Sequence, residues 1–230
     1  MKKIPNILHF YSIRKLSILL IGFSLLFFVS CTTVKKKVER QKIPPYKPTN
    51  FWTVGKLSYD FKRVAVLPIY YEDRKVNSIE DFDQIFRSEL SKQNSFEIRG
   101  LDREEMEYVF GQEHYSSAGI LPQNLLKRIH EEYDADGVLL IDLTRYSPYT
   151  PITMGLRAKL VHVQSGEIIW SFDNSFDAGS RAVQLAVEDF HHLDYRIVKA
   201  GQVGTGSILQ SPRQFAKYAA NATFNTIPVR

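Results

Sequence analysis

Arg63–Tyr71 reads RVAVLPIYY, and almost every position in it is apolar or β-branched. A half-buried strand alternates apolar and polar residues, because successive side chains point to opposite faces. A run without alternation predicts a strand covered on both faces, and Pro68 predicts its end. A second run of this kind, GVLLIDLTRY, occupies Gly137–Tyr146. Two such strands require a sheet with helices packed against it.

The segments around these runs supply the helices. From Ser78, SIEDFDQIFRSELSKQ spaces Ile79, Phe82, Phe86 and Leu90 three or four apart, behind an N-cap signature of Ser78, Glu80 and Asp81. Phe96–Gly100 is a short strand. DREEMEYVFG starts on the N-cap Asp102, carries Glu104 and Glu105 in its first turn, and stops at Gly111. Pro122 stands near a third helix start, with Leu125, Leu126, Ile129 and Tyr133 on one stripe.

After the second run, Ile152–Val163 alternates. Ile152, Met154, Leu156, Ala158 and Leu160 share one face, and Arg157 and Lys159 the other. With EIIWSFD after the turn Gln164–Glu167, it predicts an antiparallel hairpin with one wet face. A helix over Arg181–His192 turns Val183, Ala186, Val187 and Phe190 inward, and a last helix begins near Pro212 with Phe215, Ala219 and Ala222 inward. The expected fold is α+β. It has a single mixed sheet of about five strands with helices on its faces, in the order β-α-β-α-α-β-β-β-α-α, and residues 60–230 form one domain.

Upstream of this domain the chain changes character. Lys2, Lys3, Arg14 and Lys15 are followed by the uncharged run Leu16–Val29, 14 residues long, and then by Ser30 and the sole cysteine, Cys31. A basic start, an apolar core and a small residue form a secretory signal. A permanent membrane-spanning helix needs roughly 20 apolar residues, so the run is short for one. Phe28-Val29-Ser30-Cys31 resembles a bacterial lipobox, with Phe28 where Leu is usual. That resemblance implies cleavage between Ser30 and Cys31, acylation of Cys31, and, with Thr32 rather than Asp following, retention on the periplasmic face of the outer membrane. With one cysteine, no disulfide supports the domain.

The net charge of +5 is misleading. Residues 1–30 hold four basic residues and no acid. Thr32–Thr49 holds Lys35, Lys36, Lys37, Arg40, Lys42 and Lys47 against Glu39, and Asn50–Arg230 is left at about −4. A mildly acidic domain argues against nucleic-acid binding. Residues 31–59 read as a basic, Pro-rich tether. Lys35, Lys36, Lys37 and Trp52 are candidate contacts to a charged membrane surface, with packing of Phe51 and Trp52 on the domain as the commoner alternative.

No catalytic constellation, metal site or cofactor motif is expected. Adjacent His191 and His192, near Glu188, Asp189 and Asp194, point about 100° apart on a helix and suit its C-terminal dipole better than one shared ion. Asp134–Gly137 lacks the later ligands of a calcium loop. Gly201–Ser207 lacks the Lys-Ser/Thr of a phosphate loop. Ser116, Ser117 and His114 form no recognisable triad, and Glu104, Glu105 and Glu107 form no paired acid and base.

KRVAVLPI, SFEIRGLDREEMEYV, YDADGVLLIDLTRY, SGEIIWSFDNSFDAG and SPRQFAKYAA, taken in order over Lys62–Ala220, resemble the superfamily of periplasmic lipoproteins that includes CsgG, PelC and LpoB. The fold is also similar to the N-terminal domain of TolB. The resemblance implies a non-enzymatic lipoprotein that takes part in assembling or scaffolding an envelope export system, with protein partners in the periplasm or outer membrane and a homo-oligomeric ring as one arrangement. Only Ile152–Val163 has the length of a membrane-spanning strand, so a CsgG-type pore is not expected. A monomeric regulator of a periplasmic enzyme, such as a peptidoglycan synthase, is the alternative. A hydrolase with an unrecognised site is the third reading.

Overall fold

The computed structural model describes residues 43–72, 79–197 and 205–230, apart from the side chains of 192–197 and 205. Ser30, Cys31, Lys35, Lys36, Lys37 and Ser78 lie outside the described residues, as does most of the glycine-rich stretch at 201–204. No helix among the described residues is long and apolar enough to cross a membrane.

The folded unit is built on one six-stranded mixed sheet. Its strands are β1 (Phe51–Thr53), β2 (Arg63–Val66), β3 (Glu97–Gly100), β4 (Gly137–Ser147), β5 (Thr153–His162) and β6 (Ile168–Asp177). The spatial order is β1-β6-β5-β4-β2-β3. β3, β2 and β4 run parallel, and β4, β5, β6 and β1 form an antiparallel meander extended by the edge strand. The helices are α1 (Ile79–Ser91), α2 (Arg103–Phe110), α3 (Leu125–Tyr133), α4 (Arg181–Ile197), the single turn α5 (Thr205–Ile208) and α6 (Pro212–Phe224).

The two unalternating runs sit where sheet and helices meet on both sides. Along β2, Val64 and Val66 belong to one core, and Ala65 and Leu67 to a second core. Along β4, Leu139, Ile141 and Leu143 join the first, and Val138 and Leu140 the second. Helices α1, α4 and α6 close the first core. α2 and α3 close the smaller one with Met106, Leu125 and Ile129. Pro68, which has no N–H to give, interrupts β2 as expected. Pairing to β4 resumes beyond it, where the Tyr70 N–H donates to the Ile141 carbonyl at 2.8 Å.

Helix ends follow the sequence closely. The Asp102 carboxylate accepts from the Glu105 N–H at 2.7 Å, and Gly111 ends α2 at φ 75°. Ser211 caps α6 through the Gln214 N–H, ahead of Pro212. On α1, Phe82, Phe86 and Leu90 are buried as the spacing predicts. Phe86 meets Phe224 of α6 edge to face at 5.9 Å.

Three expectations need correction. The sheet has six strands rather than about five, because Phe51–Thr53 pairs with β6 as Phe51↔Phe172, Trp52↔Ser171 and Thr53↔Trp170. The element order accordingly gains β1 at its start and α5 near its end. The compact unit begins at Ile43, so the boundary expected at residue 60 falls inside it. Tyr46 is fastened there by its N–H on the Ala182 carbonyl (2.8 Å) and by its ring against Phe176 (5.5 Å).

Candidate functional site

Two surface features stand out on this scaffold. The first is a cleft of about 620 Å³ lined by Tyr70, Tyr71, Glu72, Ser116, Asp142 and Arg157, among others. Its wall is the loop between α2 and α3, pinned to the sheet by Asp142 of β4. One Asp142 oxygen accepts from the Ser117 N–H at 2.7 Å, and the other accepts from the hydroxyls of Ser116 and Ser117, both at 2.9 Å. Lys159 of β5 donates to the Ser117 carbonyl at 2.7 Å. Asp142 is buried, so these donors replace the water it gives up. Its cross-strand neighbour Arg157 turns to Asp173 of β6, Nε to Oδ2 at 2.8 Å. The residue was missed at sequence level because it stands inside an apolar run; a single acid in GVLLIDLTRY was its only signal.

At the end of β2, Asp83 of α1 and Arg103 of α2 meet across the sheet at 3.1 Å. They clamp one backbone unit: Asp83 accepts the Ile69 N–H at 2.7 Å, and Arg103 donates to the Ile69 carbonyl at 2.9 Å. Burial pushes the Asp83 carboxyl above its usual range. The Ile69 N–H and the guanidinium groups of Arg103 and Arg87 pull the other way without cancelling it.

The second surface feature is β1. Phe51, Trp52 and Val54 are 41 %, 53 % and 53 % exposed. Trp52 is the one membrane-contact candidate that the structure describes, and it stands on this edge strand. Ile168 at the start of β6 and Val229 are also exposed. Both adjoin β1 and its continuation, since Val54 N–H donates to the Ile169 carbonyl and Leu57 N–H to the Val229 carbonyl.

Several of the remaining candidates have structural partners, while the side chains of His192 and Asp194 lie outside the described residues. Asp134 caps α3 at φ 50° and pairs with Arg63, and Asp136 accepts the N–H groups of Lys62 and Arg63. The stretch therefore makes the turn into β4 that its composition predicts. Glu188 pairs with Arg181 at 3.6 Å. His114 lies against the Tyr70 ring at 5.1 Å, while Ser116 and Ser117 serve Asp142. Glu105 accepts from Arg99 at 2.6 Å. Among the described residues, no group of three His, Cys, Asp or Glu converges on a metal position.

No family model matches the chain, and no curated protein does. Among solved structures it is similar to lipoprotein GNA1162 from Neisseria meningitidis, at 20 % identity and TM-score 0.41 over 60 % of this chain and 99 % of that one. It is similar to the PelC dodecamer from Paraburkholderia phytofirmans, at 15 % identity and TM-score 0.41 over 75 % and 94 %. It is also similar to the LpoB C-terminal domain from Escherichia coli, at 16 % identity and TM-score 0.37 over 50 % and 82 %.

Proposed function

We propose that this chain is a lipoprotein held by Cys31 on the periplasmic face of the outer membrane, where its domain acts without catalysis as an assembly or scaffold component of an export system. One observation carries the reading: the basic start, the 14-residue apolar run and the Ser30-Cys31 junction stand ahead of a folded unit that begins only at Ile43. The sequence phrases over Lys62–Ala220 support the same reading by resemblance.

Labelling with a palmitate analogue tests the anchor. Wild type takes up label and fractionates with outer membranes, and Cys31→Ala does neither. Label on the Cys31→Ala protein, or none on wild type, rejects it. Light scattering of the matured protein in detergent tests the scaffold role, which expects a multimer of defined size. A monomer across the concentration range favours the second reading, a regulator of a periplasmic enzyme.

A further inference from the structure

We propose that the β1 edge is a membrane seat, placing Trp52, with Phe51 and Val54, in the headgroup region of an anionic bilayer. The inference rests on the lipid-anchored reading and adds the orientation of the domain to it. Three of the four residues Phe51–Val54 (Phe51, Trp52 and Val54) expose large apolar side chains on this edge, and Ile168 and Val229 adjoin it. Phe51 and Trp52 point to opposite faces of the strand, so apolar surface is exposed around the edge itself, and such exposure marks an interaction site. β1 gives β6 the backbone groups of Asn50, Trp52 and Val54, so those of Phe51 and Thr53 point outward and need polar partners. A headgroup layer offers polar groups beside apolar chains, and Trp is enriched there for that reason.

The chain outside the folded unit identifies the occupant. The segment 32–42 joins Cys31 to Ile43 and reaches at most about 40 Å when fully extended. An acyl group on Cys31 therefore keeps the patch within reach of the leaflet. The same segment carries Lys35, Lys36, Lys37, Arg40 and Lys42 against Glu39, and Lys47 and Lys56 flank β1 in an otherwise acidic domain. Along the sequence, a run of net positive charge thus leads into the exposed apolar edge, as attraction to anionic lipid requires.

The chain has two tryptophans, and Trp170 is fully buried. Trp170→Phe leaves Trp52 as sole reporter. Should that variant fail to fold, the difference between wild type and Trp52→Phe yields the same signal. The matured full-length protein is mixed with vesicles of phosphatidylcholine, with or without phosphatidylglycerol, carrying brominated acyl chains. The expected result is flotation with the vesicles, a blue shift of Trp52 emission and quenching by about half in the anionic vesicles, weaker in the neutral ones. Flotation with Trp52 emitting as in water overturns the seat and leaves the anchor standing. Failure to float overturns both. A blue shift without vesicles, growing with protein concentration, assigns the edge to a second copy of the chain and also overturns the seat.

Discussion

Asp83 and Arg103 stand 20 positions apart on different helices, yet they hold the N–H and the carbonyl of the same residue, Ile69. Arg103→Met leaves a buried carboxylate without its cation and is expected to cost about 3 kcal/mol, read by urea unfolding at neutral pH. The pH dependence has a definite sign. Burial raises the Asp83 pKa above 3.8, so the folded chain keeps this proton where the unfolded chain has lost it. The contribution of Asp83 to stability is full below about pH 3.8 and declines as pH rises through the folded-state value. The stability gap between wild type and Asp83→Asn is therefore widest in acid and narrows as pH increases; a gap that widens would contradict the assignment. Gly137 is a second single-residue constraint. A Cβ there would run into the Phe61 ring, which is itself buried. Gly137→Ala is expected to lose about 1–3 kcal/mol by overpacking, measured in the same denaturation experiment.

At the level of elements, legibility followed signal length. α2 was readable to the residue because a side-chain cap and a left-handed glycine bound it. Asp102→Ala should cost about 1 kcal/mol, and a Tm shift too small to detect would show that packing alone fixes the helix start. β2 and β4 were readable because two faces of cover leave no alternation. β1 was not, because three residues cannot establish a period of two and their apolar character suits a tether equally well. The cleft was hidden for a related reason: Asp142 takes its meaning from a loop 25 residues away in sequence, which no local pattern records. The missed strand has a direct test. A chain starting at Ile43 should keep the full melting temperature, whereas one starting at residue 60 loses β1 and the Tyr46 contacts and should melt several degrees lower, roughly 4–8 °C per kcal/mol lost in the smaller size range and less here. Equal melting of the two would return β1 to the tether.

For the whole molecule, the sheet joins two halves of different origin. The β4-β5-β6 meander pairs neighbours in sequence, whereas β2 and β3 reach their places only through helical crossovers. Both cores share β2 and β4, so neither can be lost alone. Phe86→Ala in one and Ile129→Ala in the other should each lower the stability of the entire domain, by about 3–5 and 2–5 kcal/mol, with amide exchange accelerated on both faces. The pairing of β1 with β6 has a further consequence, in time rather than in energy. The hydrogen bond that Asn174 donates to the Asn50 carbonyl closes a separation of 124 residues. A chain delivered N-terminus first presents Trp52 long before Ser171 exists to receive it. Contacts so distant in sequence form late, and unpaired apolar strands are prone to mispairing while they wait. Delivery sets the sequence of events: the first strand out is the last one in, and whatever shields Phe51 and Trp52 during that interval governs how much of the chain folds correctly.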